Sequence, residues 1–270
     1  MKRNHLLNST ALIVILSAGV SSVYAADLTY LEVSSPEAAY GDKPAVSAIN
    51  AKVAAAFGVL DDDFLSVLSG SVTAPIGHRY GVQLDAMGAL RDGDEVSGGV
   101  GGHLFWRNPD FGLVGLYGSY THVEWGAYED IGNAAVEAEY YFDNVTISGL
   151  IGAEFGDSDG VLAGSTLSFY PIDDLRLYAG YRYQLDKSYG VAGFEILPEF
   201  AGLSNLAFYA DGIVDEDGDY GVFGGVRLYL GSDKPLKARH REDDPIESAI
   251  PPNLLQSIEP SKNTVKPEIG

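Results

Sequence analysis

The sequence has no cysteine, two methionines and two tryptophans, and its 17 Lys and Arg are outnumbered by 38 Asp and Glu. Without cysteine there is no disulfide, no thiolate metal ligand, no catalytic thiol and no lipid on an N-terminal cysteine. An exported chain that forgoes disulfides must be held together in another way. The shortage of positive charge argues against nucleic acid as a partner, because that affinity rests on neutralised phosphates. It argues equally against simple adsorption to anionic lipid. Long apolar runs are missing too: after Val20 nothing approaches the ~20 residues of a membrane helix. Membrane strands stay open, since each needs only ~9–11 residues with one apolar face.

What is present begins with a leader. Lys2 and Arg3 precede an apolar stretch, "ALIVILSAGV" (Ala11 to Val20), and Val23 and Ala25 occupy the small-residue positions of a cleavage site. That order predicts a secretory signal peptide over residues 1–25 and an exported protein. Without Lys2 and Arg3 the chain keeps 15 basic residues against 38 acids, a charge of −23. Residues 26–47 have no clean period and read as a periplasmic N-terminal linker. From Ala48 to Leu230 Gly and Tyr become plentiful and turn signals recur. Residues 231–270 are rich in Pro and charge, lack the apolar content for a core, and read as a disordered periplasmic tail.

In the middle section apolar residues alternate with others. "LRLYAGYRYQL" places Leu175, Leu177, Ala179, Tyr181, Tyr183 and Leu185 on one face, and Arg176, Tyr178, Gly180, Arg182 and Gln184 on the other. "AAVEAEYYF" sets Val136, Ala138, Tyr140 and Phe142 against Glu137, Glu139 and Tyr141. Period 2 over such lengths predicts strands with two different faces. Twelve are expected, near 48–60, 64–74, 78–91, 94–107, 111–124, 131–142, 145–156, 160–170, 174–186, 188–198, 204–214 and 218–230; ten or fourteen stay open.

The connections carry more information than the strands. In chain order they alternate between two kinds. One set is "LDDD", "RDGDE", "EWGAYED", "GDSDG", "LDKS" and "DEDGD", with sixteen acids and two basic residues. The other is "APIGH", "RNPDF", "FDN", "YPIDD" and "PEFAGLS", with proline in four of five and aromatics beside several. Strict alternation is what an up-and-down antiparallel meander demands, since odd and even turns lie at opposite ends. One end is then acidic, while the other carries tight turns and an aromatic girdle of Trp106, Tyr140, Phe142, Phe169 and Tyr170.

The fold class expected is therefore all-β, a transmembrane antiparallel barrel over residues 48–230. The polar face is too charged for a packed soluble core. It comprises Lys52, Arg79, Asp85, Glu95, Arg107, Glu137, Glu139, Glu154, Arg176, Arg182, Glu195, Asp211, Asp219 and Arg227, six cations and eight acids. Charges are costly to bury singly and acceptable in a wet or charge-paired lumen. Apolar outside and polar inside is the bilayer arrangement. Charges paired in ladders would make the barrel nearly closed and structural; acids and bases on opposite walls would line a narrow selective pore.

Leader, alternating strands, girdle and the closing "GVRLYL" together resemble a Gram-negative outer-membrane β-barrel of the porin-like kind. The resemblance covers about residues 48–230. It implies outer-membrane lipid and surface glycolipid as surroundings, small solutes as cargo, and the barrel-assembly machinery as a partner during biogenesis. For that machinery Gly225, Leu228 and Leu230 are similar to the recognised C-terminal signal. Two departures stand out. The chain runs 40 residues past Leu230, where the family usually ends on an aromatic. Its loops are also shorter than those of general porins, leaving no constriction loop.

Other chemistry fits less well. "DEDGD" offers Asp215, Asp217 and Asp219 at the first three positions of an EF-hand, but Tyr220 stands where Gly is required and Val226 where Glu is required. Asp217-Gly218 reads instead as a hairpin turn. No metal and no cofactor are expected, beyond weak divalent cations bridging several acidic loops to anionic glycolipid. "SYTHVEW" brings Ser119, His122 and Glu124 close in sequence, yet residues three apart on a strand face opposite ways. His78 and His103 have no marked serine partner. The function expected is a narrow passive channel for small solutes. A non-conducting structural or surface-interaction barrel is the alternative, and a lipid-modifying hydrolase comes third.

Overall fold

The computed structural model describes residues 43–245 except 61, 125–127, 158, 199–203 and 232. The expected signal peptide, residues 26–42 of the linker and residues 246–270 of the tail lie outside the described residues. Twelve strands follow in chain order: β1 (Asn50–Leu60), β2 (Asp63–Ile76), β3 (Tyr80–Arg91), β4 (Glu95–Asn108), β5 (Gly112–Glu124), β6 (Tyr128–Phe142), β7 (Val145–Gly156), β8 (Gly160–Ile172), β9 (Leu175–Gln184), β10 (Lys187–Ile196), β11 (Leu206–Asp215) and β12 (Tyr220–Leu230). Each pairs antiparallel with its neighbour in sequence, and β1 pairs with β12, so the sheet closes into a barrel. Closure leaves no unpaired sheet edge, the condition for backbone to lie in hydrocarbon.

The two faces separate by parity. Val53, Phe57, Leu68, Leu84, Val100, Leu116, Val136 and Ile151 all project outward and are exposed. Their in-register neighbours stand side by side: Val100 pairs with Ala86 on one flank and Tyr120 on the other. In water such a contiguous apolar surface would be a large aggregation liability. Facing lipid it is the stabilising surface, since each apolar side chain removed from water is worth ~1.5–3 kcal/mol.

The hairpins explain the register. Asp143 and Asn144 join β6 to β7, and Leu185 and Asp186 join β9 to β10. Leu185 and Asp186 both have positive φ, 51° and 57°, as a two-residue turn with the twist of its flanking strands requires. Leu is a poor occupant of that region. Two contacts offset the strain: the Leu185 amide donates to a Glu154 carboxylate oxygen at 2.6 Å, and its side chain packs inside the barrel mouth.

The tail expectation fails in part. Residues 236–242 form a short helix, α1 (Leu236–Glu242), with Leu236, Arg239 and His240 buried. Composition concealed this because α1 has one apolar anchor and uses polar side chains for the rest of its contacts. Leu236 packs with Leu197, Ala207 and Tyr229. Residues 43–47 of the linker are also placed: Ala45 and Val46 are buried, and Val46 packs on Phe105 and Leu113.

Candidate functional site: the lumen and its two closures

Inward side chains form three levels between the acidic end and the tight-turn end. At the acidic end Leu60, Leu65, Met87, Val123, Ile131 and Phe223 meet as one buried cluster, with Ile213 and Leu185 packed against it. These residues come from strands all around the barrel, so the cluster spans the mouth. An apolar constriction of this kind gates by dewetting, dry while its side chains meet and passable when they part. It departs from the polar interior that strand alternation predicts, because these inward positions are apolar only next to the acidic turns.

Below it lies a polar level. His103 on β4 places Nε2 3.0 Å from Asp85 and Nδ1 2.8 Å from Glu137. Gln83 extends the chain, donating to Asp85 at 2.9 Å and accepting from Thr73 at 2.7 Å. One ring thus joins carboxylates from β3 and β6 along one side of the lumen. Both ring nitrogens face carboxylate oxygens, with Nδ1 hydrogen-bonded to Glu137.

The third level is a belt of tyrosines and arginines near the tight turns. Arg227 binds Glu195 at 2.6 Å, and the Tyr229 hydroxyl donates to the same carboxylate at 2.7 Å. Arg227 also lies over the Tyr209 ring, 4.8 Å from its centre, and Arg176 over the Tyr178 ring at 4.2 Å. Arg176 Nε donates to Ser168 at 2.9 Å, and Tyr178 donates to Asp211. Such buried pairs fix geometry more than they add stability.

Most expected lumen residues point inward. Asp85, Arg107, Glu137, Glu154, Arg176, Arg182 and Glu195 are buried there, and Lys52, Glu139, Asp211 and Arg227 are half-buried. Glu95 opens β4 at the acidic mouth, and Arg79 sits in the β2–β3 turn. Asp219 is a correction: it is exposed in the β11–β12 turn, where its carbonyl accepts from the Asp215 amide. Parity alone placed it inward, but it lies beyond the strand. Tyr170 is the second correction. Trp106, Tyr140, Phe142 and Phe169 do face outward, whereas Tyr170 is 0% exposed inside the barrel. Adjacent strand residues face opposite sides, so Phe169 and Tyr170 could not both reach lipid. Leu228 and Leu230 face outward, while Gly225 faces in beneath Tyr209. His103, which has no serine partner in the sequence, is a lumen histidine paired with carboxylates, while the roles of Tyr229 and of α1 carry no signal in the strand pattern.

The closure at the tight-turn end is built from the described segments that flank the barrel, residues 43–47 and 233–245. Arg241 donates to the carbonyls of Asp143 at 2.8 Å and Val145 at 2.9 Å, with its guanidinium 5.2 Å from the Tyr141 ring centre. Lys237 binds Asp173 and donates to Asn144 at 2.9 Å. Arg239 donates to Asn205 and lies over Tyr229. After α1, Asp244 pairs with Lys52 of the lumen, and Asp243 with Lys234 at 2.8 Å. Lys43 binds Glu242 at 2.7 Å. Burial acts against the Glu242 charge, yet hydrogen bonds from Lys43 and Lys234 hold its pKa below the usual carboxylate range.

The candidate hydrolase residues do not assemble. Ser119 turns inward, with its oxygen accepting from Asn133 at 3.2 Å, while His122 is exposed on the outer wall against Asp130 at 2.7 Å. Among the described residues no group of three or more His, Asp or Glu is placed to hold a metal ion.

A closed up-and-down barrel, lipid-compatible outside and charged inside, is the porin-like outer-membrane barrel fold. No family model matches the sequence, and no curated protein is significantly similar to it. Similar solved structures do exist. The KdgM porin in complex with disordered oligogalacturonate superposes with a TM-score of 0.53 at 8% identity, covering 66% of this chain and 98% of that one. The KdgM porin alone gives 0.51, also at 8% identity, with the same coverage. At that identity the likeness is one of fold.

Proposed function

We propose that the protein resides in the outer membrane with both chain ends in the periplasm, and serves as a gated passive pore for small hydrophilic solutes. The form described is closed. The observation that carries this reading is the nature of the closure at the tight-turn end. It is a separate segment with Leu236 as its apolar anchor, held otherwise by polar contacts, some partly open to water and others, those of Arg239, His240, Asp243 and Asp244, buried. Partly exposed pairs such as Lys43–Glu242 and Lys237–Asp173 are each worth ~0–1 kcal/mol, and the sheet closes on itself without α1, so the plug can leave without unfolding the barrel. Behind it stand charged and hydroxyl side chains, among them Lys52, Thr146, Ser168, Arg176, Glu195 and Arg227, which suit a hydrated passage. Leu228 and Leu230 on the closing strand are available to the assembly machinery during biogenesis, and the acidic turns face outward.

A second reading, a permanently closed structural barrel, is favoured by the apolar cluster at the acidic mouth. Planar-bilayer recording separates the two. The variant Arg239→Ala/Arg241→Ala, shown folded by heat-modifiable gel migration, should give discrete conductance steps far more often than the parent chain. A folded variant with a released plug and no steps favours the structural barrel.

A further inference from the structure

His240 ties the plug to the barrel through a chain whose hydrogen-bond directions can be worked out. Tyr229 on β12 spends its hydroxyl proton on Glu195, so its oxygen accepts from His240 Nε2–H at 3.1 Å. The opposite ring nitrogen, Nδ1, lies 3.0 Å from the Tyr170 hydroxyl on β8. With Nε2 protonated, a neutral ring accepts there, and Tyr170 donates. The seat therefore fits one tautomer of the neutral imidazole. An imidazolium would present N–H to Tyr170 as well and displace the tyrosine's own proton from its partner, in a place where both residues are almost fully buried.

The surrounding charges are divided, Glu195 favouring a charged ring and the nearby cations opposing it. From β10, Glu195 lies 3.6 Å from His240 Nε2, but Arg227 and Tyr229 already bind that carboxylate. Arg176 from β9, Arg227 from β12 and Lys52 from β1 bring positive charge towards the ring. On the plug itself Arg241 lies 5.8 Å from the Tyr170 ring centre and Arg239 4.9 Å from that of Tyr229. Asp244, the plug's nearest acid in this belt, is paired with Lys52. Burial, opposed by Glu195 and assisted by these cations, holds the His240 pKa well below its ordinary value.

We propose that the Tyr170–His240–Tyr229–Glu195 chain is a latch, and that acid opens it by protonating His240 as α1 leaves its seat. The inference rests on the pore reading for its consequence but not for its chemistry. The sign follows from linkage. The ring is neutral when seated and has an ordinary pKa of ~6.5 when released. Seating is undiminished above that value. Below it, seating weakens about tenfold for each pH unit until the seated pKa is reached.

The cysteine-free chain allows a direct test. Ala207→Cys puts a single thiol on β11 beneath the plug, against Leu236, reached by a soluble maleimide only after release. The full-length protein in vesicles is compared with the same protein carrying His240→Gln, whose amide can donate to one tyrosine and accept from the other without titrating. At pH 7.5 both should label slowly. At pH 5.0 the ratio of the His240 rate to the Gln rate should rise above its pH 7.5 value by up to ~30-fold; comparison at one pH cancels the reagent's own pH dependence. A ratio that stays at its pH 7.5 value overturns the latch. Nitrogen-15 spectra of the seated His240, which need no variant, should show a neutral ring protonated at Nε2 between pH 7.5 and 5.5, and an imidazolium spectrum would also overturn it. Conductance recorded on the same samples separates the two claims. Acid-dependent labelling without current leaves the latch and removes the pore. Current from the plug-weakened variant with an unchanged labelling ratio does the reverse.

Discussion

Val100 offers a direct test of which solvent meets the outer wall. It is 57% exposed and stands sixth among the 14 residues of β4. With ~3.4 Å of rise per residue and a ~45° tilt, it lies about 12 Å below the start of the strand, near the middle of an apolar band about 25 Å tall. Arginine there should cost ~2–4 kcal/mol in a bilayer, and ~0.5 kcal/mol or less on a surface facing water. The membrane value corresponds to a roughly 30- to 700-fold loss in the folding constant. Reversible urea unfolding of the parent chain and Val100→Arg in thin lipid vesicles measures this difference. An arginine within 0.5 kcal/mol of the parent would refute the lipid-facing assignment and, with it, the inside-out reading of the barrel.

Three further outcomes follow from packing and backbone conformation. Glu195→Gln leaves Arg227 half-buried without its carboxylate and weakens the Tyr229 contact, so stability should fall by ~3 kcal/mol, the lower end for a broken buried pair. An unchanged urea midpoint would show that the pair is dispensable. Gly193→Ala brings its new methyl within 2.4 Å of the Ala210 carbonyl and 2.5 Å of the Tyr178 hydroxyl, and should cost ~1–3 kcal/mol in the same assay. Gly218→Ala meets nothing within 4 Å and should cost about 1 kcal/mol, through its φ of +94° alone. A Gly193 variant no worse than the Gly218 one would contradict the close approach of Tyr178 to β10.

Much of the barrel was legible because its two faces meet different solvents. Leu177, Ala179 and Tyr181 against Arg176, Tyr178 and Arg182 state the register of β9 outright, and the acidic and proline-bearing turns state the polarity of the meander. Where one residue decides a boundary, the pattern is weaker. Asp219 continues the parity of β12 but lies past its end, and Tyr170 looks like girdle beside Phe169 until strand alternation is applied to the pair. The apolar mouth was hidden for another reason. Leu60, Leu65, Val123 and Phe223 are ordinary strand residues in sequence, and only closure of the sheet brings them together.

Strand number, facing and the alternation of turns are therefore properties of the sequence itself, because period-2 patterning and turn chemistry act over a few residues. Partnership is not local. That His103 joins Asp85 to Glu137, that Asp244 reaches Lys52, and that His240 sits between Tyr170 and Tyr229 depend on residues up to 192 apart in the chain. No short-range pattern encodes such meetings. The tertiary structure decides them by bending the sheet into a ring and returning the chain's end to its opening, where polar side chains rather than an apolar stripe hold α1 in place.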